Sequence, residues 1–323
     1  MVPSWLSLSG WKAMLRLVRL PNVLIVVLTM LLMRYCIFSP YLYGTLPGSM
    51  SPGLWYGLLV LVTVVITIGG YVINDYFDAG IDRINRPDSQ VVTRAVSRRA
   101  AIKIHIILNS VAILLGFFLA WRLKAISFGF IFPFVSGMLW LYSAKYKRLF
   151  FWGNAMVAAL SSFVILVAWL FEFFWLRLDP MQFATMLAVI PWVNRIVLAY
   201  ALFALLISMV REIIKDMEDT EGDRAEGCRT LPIVLGIGVT RIITAVLLVS
   251  TMALLGFAQV ILFRLSMNMA AWYLLFTVQL PSLFFLIRLS QAKNKADYHD
   301  LSTLCKMIML AGILSMEIIL ISN

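Results

Sequence analysis

Apolar residues run along this chain in long blocks, not in the alternation of a half-buried strand or the narrow stripe of a surface helix. A helix needs about 20 mostly apolar residues to cross roughly 30 Å of hydrocarbon. Blocks of that length recur from end to end. They predict an all-α, polytopic membrane protein with about nine spans, at 22–38, 54–73, 100–121, 125–144, 152–171, 190–210, 240–263, 270–288 and 303–321. No stretch between them is long enough for a soluble domain, so a single membrane domain over 1–323 is expected. Ahead of the first span, Trp11, Leu15 and Val18 are interleaved with Lys12, Arg16 and Arg19, which marks residues 1–21 as an interfacial segment. The charged stretch is too long for a signal peptide, and no small-residue cleavage site follows an apolar core.

Composition sharpens this picture. The chain is 62% hydrophobic and only 13% charged, too few charges to cover a soluble surface. Its net charge of +11 follows the spans: with the N-terminus in the cytoplasm, that side receives Arg83 to Lys103, Lys145, Lys147, Arg148, Arg211 to Arg241, Arg288, Lys293 and Lys295. The opposite side receives few, among them Arg122, Lys124, Arg177, Arg264, Arg34 and Arg195. The expected location is therefore a cytoplasmic (inner) membrane, with membrane lipid as surroundings and no nucleic-acid partner, since a contiguous soluble basic face is missing from the pattern. Cys36, Cys228 and Cys305 have no paired spacing and are expected to be isolated thiols. His105 and His299 have no sequence neighbours that suggest metal binding or proton transfer.

The acids carry the candidate chemistry. Of 16 acidic residues, four (Asp75, Asp78, Asp82, Asp88) fall in one short segment and seven (Glu212, Asp216, Glu218, Asp219, Glu221, Asp223, Glu226) in another. Both segments contain DxxDxxxD, as Asp75, Asp78 and Asp82 and as Asp216, Asp219 and Asp223. Steps of three and four return a helical side chain to nearly the same face, so three carboxylates are expected to point one way. Such a set repels itself and is costly to desolvate near a membrane. Oxygen-only ligands without His or Cys suit Mg²⁺, which binds one or two carboxylates, water and substrate phosphates. The two clusters lie at the ends of the second and sixth expected spans, and an even number of crossings places both on the cytoplasmic side. The alternative, two solvated acidic loops, requires the same spacing to recur by chance in an acid-poor chain.

These residues resemble the UbiA superfamily of intramembrane prenyltransferases. Asn74, Asp75, Asp78 and Asp82 match its NDxxDxxxD signature, and Asp216, Asp219 and Asp223 match its second, DxxDxxxD. Tyr142 to Arg148 is similar to the tyrosine-and-basic segment after the fourth helix, Gly153-Asn154 to the start of the fifth, and Arg229-Thr230-Leu231-Pro232 to the segment after the second motif. The resemblance implies nine helices around a central cavity with cytoplasmic cap loops, an isoprenyl diphosphate donor, a lipophilic acceptor and Mg²⁺. It implies metal ligation by Asp75, Asp78, Asp216 and Asp219. Catalytic roles then fall to Asp82, Asp223, Lys145, Lys147 and Arg229, and substrate binding to Asn74, Arg19, Asn22, Arg86, Arg94, Tyr142, Tyr146, Arg148, Asn154 and Lys215. The stretch Asp88 to Arg94 departs from the Arg-Pro-x-Pro of many relatives.

For the acceptor, Arg16 to Asn22 and Asn85-Arg86-Pro87-Asp88 resemble the branch that attaches a second geranylgeranyl group to geranylgeranylglyceryl phosphate. An aromatic acceptor such as 4-hydroxybenzoate or a naphthoate is the alternative, because Arg19 suits a carboxylate as well as a phosphate. A transporter is the alternative from another class, but it would place ionisable groups at mid-membrane.

Overall fold

The computed structural model describes residues 14–44, 51–85, 91–93 and 95–322. Among them, nine helices are long and apolar enough to cross a membrane. They are α1 (Leu20–Leu42), α2 (Gly53–Phe77), α3 (Arg98–Arg122), α4 (Ile126–Ala144), α5 (Trp152–Leu176), α6 (Ile190–Glu218), α7 (Leu231–Arg264), α8 (Asn268–Gln291) and α9 (Lys295–Ser322). Each coincides with an expected span, and most extend beyond it. Hydropathy marks only the part of a helix that suits hydrocarbon, whereas backbone hydrogen bonding continues into the polar interface. The extension matters for α2 and α6, which carry Asp75 and Asp216 on their last turns.

Helix α7 begins well before the expected 240. Gly236, at φ 81° and ψ 159°, interrupts it. Glycine alone adopts that backbone without a Cβ clash, so a short first turn is set off from the long apolar segment recognised by hydropathy. Wider π-type turns interrupt α1 at Met33–Phe38 and α8 at Leu275–Gln279.

The described chain divides into two compact units: residues up to Val27 with Pro52–Leu149 and Glu221–Cys228, and Leu28–Ser51 with Phe150–Thr220 and Arg229 onward. In the first unit α2 packs along α3 and against α4. The absent side chain of Gly69 leaves room for Asn109, and the His105 ring Nδ1 lies 2.8 Å from the Gly69 carbonyl. His105 is thus a buried, bonded element of helix packing, in line with the small and polar residues that join helices in membranes. A small core of Leu17, Val72, Val91, Val92 and Ala101 supports the motif end of α2.

In the second unit α6 packs along α5, α7 and α9, and its Ile207, Val210, Ile213 and Ile214 share a core with Leu248, Phe285, Cys305 and Ile308. Arg34, which lies within the expected first span, is 3% exposed and donates to Glu172 at 2.9 Å. Tyr43 donates to the other Glu172 oxygen at 2.7 Å, and the guanidinium lies 4.9 Å from the Tyr43 ring and bonds Ser51. A charge at that depth is tolerated only when paired, and α5 supplies the partner.

Candidate active site

Neither motif lies along one helix, contrary to the expectation of three carboxylates on a continuous face. Helix α2 stops at Phe77, and the Asp78 N–H closes it by donating to the Asn74 carbonyl at 2.9 Å. A separate short helix, Ala79–Asn85, carries Asp82. The second motif repeats the pattern: α6 stops at Glu218, the Asp219 N–H donates to the Lys215 carbonyl at 2.9 Å, and the short helix Thr220–Ala225 carries Asp223. In both motifs the middle aspartate caps a spanning helix. A carboxylate at a helix C-terminus faces the negative end of the helix dipole, which costs about 0.3–1 kcal/mol at an exposed site. Breaking the helix there separates the like charges, and the free carbonyls beside them add to a site that attracts cations.

In the first unit, two cations come to the first motif. Arg19 donates to Asp75 Oδ1 at 2.7 Å and sits 5.0 Å from the Tyr71 ring centroid. It does so from a left-handed backbone, φ 52°, at the turn before α1. That conformation is rare outside glycine and is held by the contacts its side chain makes. Lys147, on the turn Tyr146–Arg148, pairs with Asp78 Oδ1. Asn74 donates from Nδ2 to Asp78 Oδ2 at 2.7 Å, while its own Oδ1 is buried without a hydrogen-bond partner.

Burial pushes the Asp82 carboxyl up to about 6, with Asp78 and Asp75 raising it further and Arg19 and Lys147 opposing. The segment Glu221–Cys228 belongs to this same unit and brings in the last aspartate of the second motif. The Cys228 thiol is pushed up to about 11 by burial and by Asp223, against the pull of Arg148 and Lys147, with Asp78 adding to the rise. Four groups expected at the site therefore act electrostatically on one buried thiol, an influence that no pattern of cysteines could have signalled.

In the second unit, Asn154 donates from Nδ2 to Asp216 Oδ2 at 2.8 Å, so the Gly-Asn start of α5 holds the first aspartate of the second motif. Glu218 accepts a contact from the His299 ring at 3.0 Å, a partnership missed in the sequence because the two are far apart along the chain. Lys215 and Asp219 are joined through their backbones, and Arg229 is exposed just before α7. Tyr142 and Tyr146 are half-buried and Lys145 is exposed, flanking Lys147. Asn22 lies in the first turns of α1, bonded through its N–H to the Arg19 carbonyl at 2.8 Å. Arg86 and Arg94 fall outside the described residues.

Among the described residues, no three His, Cys, Asp or Glu side chains form a group that could hold a metal by themselves. The donor set nevertheless fits Mg²⁺, which takes one or two carboxylates and completes its shell with water and phosphate. The unbonded, buried Asn74 Oδ1 beside Asp78 is a further hard oxygen of the required kind.

The model of the UbiA prenyltransferase family matches residues 37–310. The chain belongs to that family. The nine apolar helices among its described residues and its place in the UbiA family make it an integral membrane protein. A digeranylgeranylglyceryl phosphate synthase of Methanoregula boonei is 38% identical over 204 residues, 59% of this chain and 61% of that protein. The chain spans about 60% of the length of the curated relatives it matches first. A solved structure described as digeranylgeranylglyceryl phosphate synthase superposes with a TM-score of 0.61 at 25% identity, covering 95% of this chain and 98% of that one. A UbiA homologue from Archaeoglobus fulgidus, bound to DMAPP and Mg²⁺, shares the fold at TM-score 0.51 and 15% identity, over 94% of this chain and 99% of its own.

Proposed function

We propose that this UbiA-family chain transfers a prenyl group from an isoprenyl diphosphate to a lipophilic acceptor, and that the pair is geranylgeranyl diphosphate and geranylgeranylglyceryl phosphate. The observation that carries the reading is the cluster in the first unit. Arg19 and Lys147 rest on Asp75 and Asp78, and Asp223 and Arg148 act on the same thiol as Asp78 and Lys147. The relatives named for that synthase activity support the choice of substrates. The family match, which includes residues of both units, supports treating the chain as one membrane domain.

In this mechanism Asp75, Asp78, Asp216 and Asp219 would hold Mg²⁺, with Asn74 beside Asp78, and the ion would supply positive charge against the donor diphosphate. Lys147 exchanges its carboxylate partner for a phosphate oxygen, and Arg148, Lys145 and Arg229 add charge around the leaving group. Preorganised cations of this kind stabilise charge that grows as the C1–O bond of the donor breaks. The acceptor hydroxyl oxygen forms the new bond to C1, releasing diphosphate and a proton. Asn154 keeps Asp216 oriented, and Asp82 and Asp223 orient the basic groups. Arg19 is placed to meet the phosphate of the acceptor. The concentration of Lys and Arg in alternate loops supports a cytoplasmic active side.

The test is purified protein with Mg²⁺ and geranylgeranyl diphosphate, offered geranylgeranylglyceryl phosphate, 4-hydroxybenzoate and a naphthoate in separate reactions. A product with the mass of the digeranylgeranylglyceryl phosphate supports the proposal. A prenylated aromatic product instead refutes the acceptor, and no metal-dependent release of diphosphate refutes the reaction class.

A further inference from the structure

The short helices that follow the two motifs meet in a reciprocal way, and all of the contacts lie within the first unit. The Gly222 N–H donates to Asn85 Oδ1 at 3.0 Å. A Cβ on Gly222 would lie 2.5 Å from Asn85 Nδ2, and a Cβ on Gly80 would lie 2.5 Å from Glu226 Oε1. Asn85 is three residues beyond Asp82, and Glu226 is three residues beyond Asp223. Both glycines stand between the middle and last aspartates of their motifs. Each motif thus supplies a glycine, together with a side chain that covers the glycine of the other.

We propose that this crossed brace fixes Asp223 relative to the first motif for the donor diphosphate, which makes Asn85 and Gly222 positioning residues for prenyl transfer. The inference rests on the prenyl-transfer reading above. Its physical basis is local. The first N–H groups of a short helix have no partner within it, and Asn85 satisfies that of Gly222 while adding no negative charge to a cluster already rich in carboxylates. Gly222 adjoins Asp223, so displacing one displaces the other.

The two arms of the brace differ in stiffness. Asn85 is 8% exposed and committed to its bond, and it has little room to move. Glu226 is exposed and flexible, so it can swing away from a methyl group on Gly80. Gly222→Ala is therefore the severe change and Gly80→Ala the mild one.

The experiment uses the full chain in nanodiscs with Mg²⁺, geranylgeranyl diphosphate and geranylgeranylglyceryl phosphate. Gly222→Ala should lower kcat/KM for the donor by at least about tenfold, as expected for an ångström-scale misplacement of a reacting group's support, with the acceptor KM unchanged. Gly80→Ala should stay within about threefold, in the range of surface substitutions. Asn85→Ala added to Gly222→Ala removes the clash, so the pair should recover part of the loss and be non-additive.

A second measurement needs no activity. Cys228 is buried, and its N–H bonds the Asp223 carbonyl at 2.8 Å, so it reports on the position of this segment. In a Cys36→Ser, Cys305→Ser background, maleimide labelling of Cys228 should accelerate several-fold in Gly222→Ala and in Asn85→Ala. Wild-type donor kinetics with unchanged labelling in Gly222→Ala would overturn the brace. So would an equal fall in donor and acceptor parameters, which signals a general loss of structure. Absence of product from the wild-type chain overturns the functional reading instead, and labelling then decides the brace alone.

Discussion

Glu172→Ala offers the sharpest test of how this fold is held together. Glu172 is 0% exposed and accepts from Arg34 at 2.9 Å and from Tyr43 at 2.7 Å. Removing it takes the Glu172 counter-charge away from the Arg34 guanidinium, itself 3% exposed. Breaking a buried ion pair from one side costs about 3–5 kcal/mol, because the remaining charge keeps its desolvation penalty and loses the attraction that offset it. At roughly 2–4 °C per kcal/mol for a unit of this size, melting should fall by on the order of 10 °C. The double variant Arg34→Met, Glu172→Leu removes both penalties and should recover most of the loss. The three cysteines among the described residues are all buried, so a thiol-reactive fluorophore reports unfolding in detergent directly. A single variant that melts within about 2 °C of wild type would refute this account, given the conversion used above. So would a double variant no more stable than the single.

Other outcomes follow from the motif ends. Asp75→Ala and Asp219→Ala should each abolish prenyl transfer while the protein still inserts and purifies, which a membrane extraction and a product assay check together; full activity in both would remove the metal reading. Asn154→Ala frees Asp216 from its 2.8 Å bond and should raise the Mg²⁺ concentration needed for half-maximal rate by several-fold, read from a metal titration of activity. Asp82 titrates near 6 in the folded chain, above the ordinary aspartate value of 3.8, so the folded state holds its proton more tightly than the unfolded one. Its contribution to stability is therefore complete below that ordinary value and is lost as pH rises through about 6. In chelator, melting temperature should drop between pH 5 and pH 7, Asp82→Asn should flatten the drop, and added Mg²⁺ should reduce it by favouring the ionised form.

The number of spans, their order and the two aspartate motifs were legible in the sequence, because a bilayer imposes a simple length and polarity rule on each segment separately. The expectation of a cation at the motifs also came from the sequence, since carboxylates in an apolar chain call for one wherever they lie. The course of the backbone through the motifs was not. Spacing of three and four suits a continuous helix, but the spanning helices end at Asp78 and Asp219, and the last aspartates ride on separate short helices. Only the tertiary structure could pair Arg34 with Glu172, Lys147 with Asp78 or Asn85 with Gly222, because each partner is distant in the chain and the pairing depends on how helices pack. Local pattern determines which segments enter the membrane, whereas desolvation and close packing between remote segments decide which charges meet there.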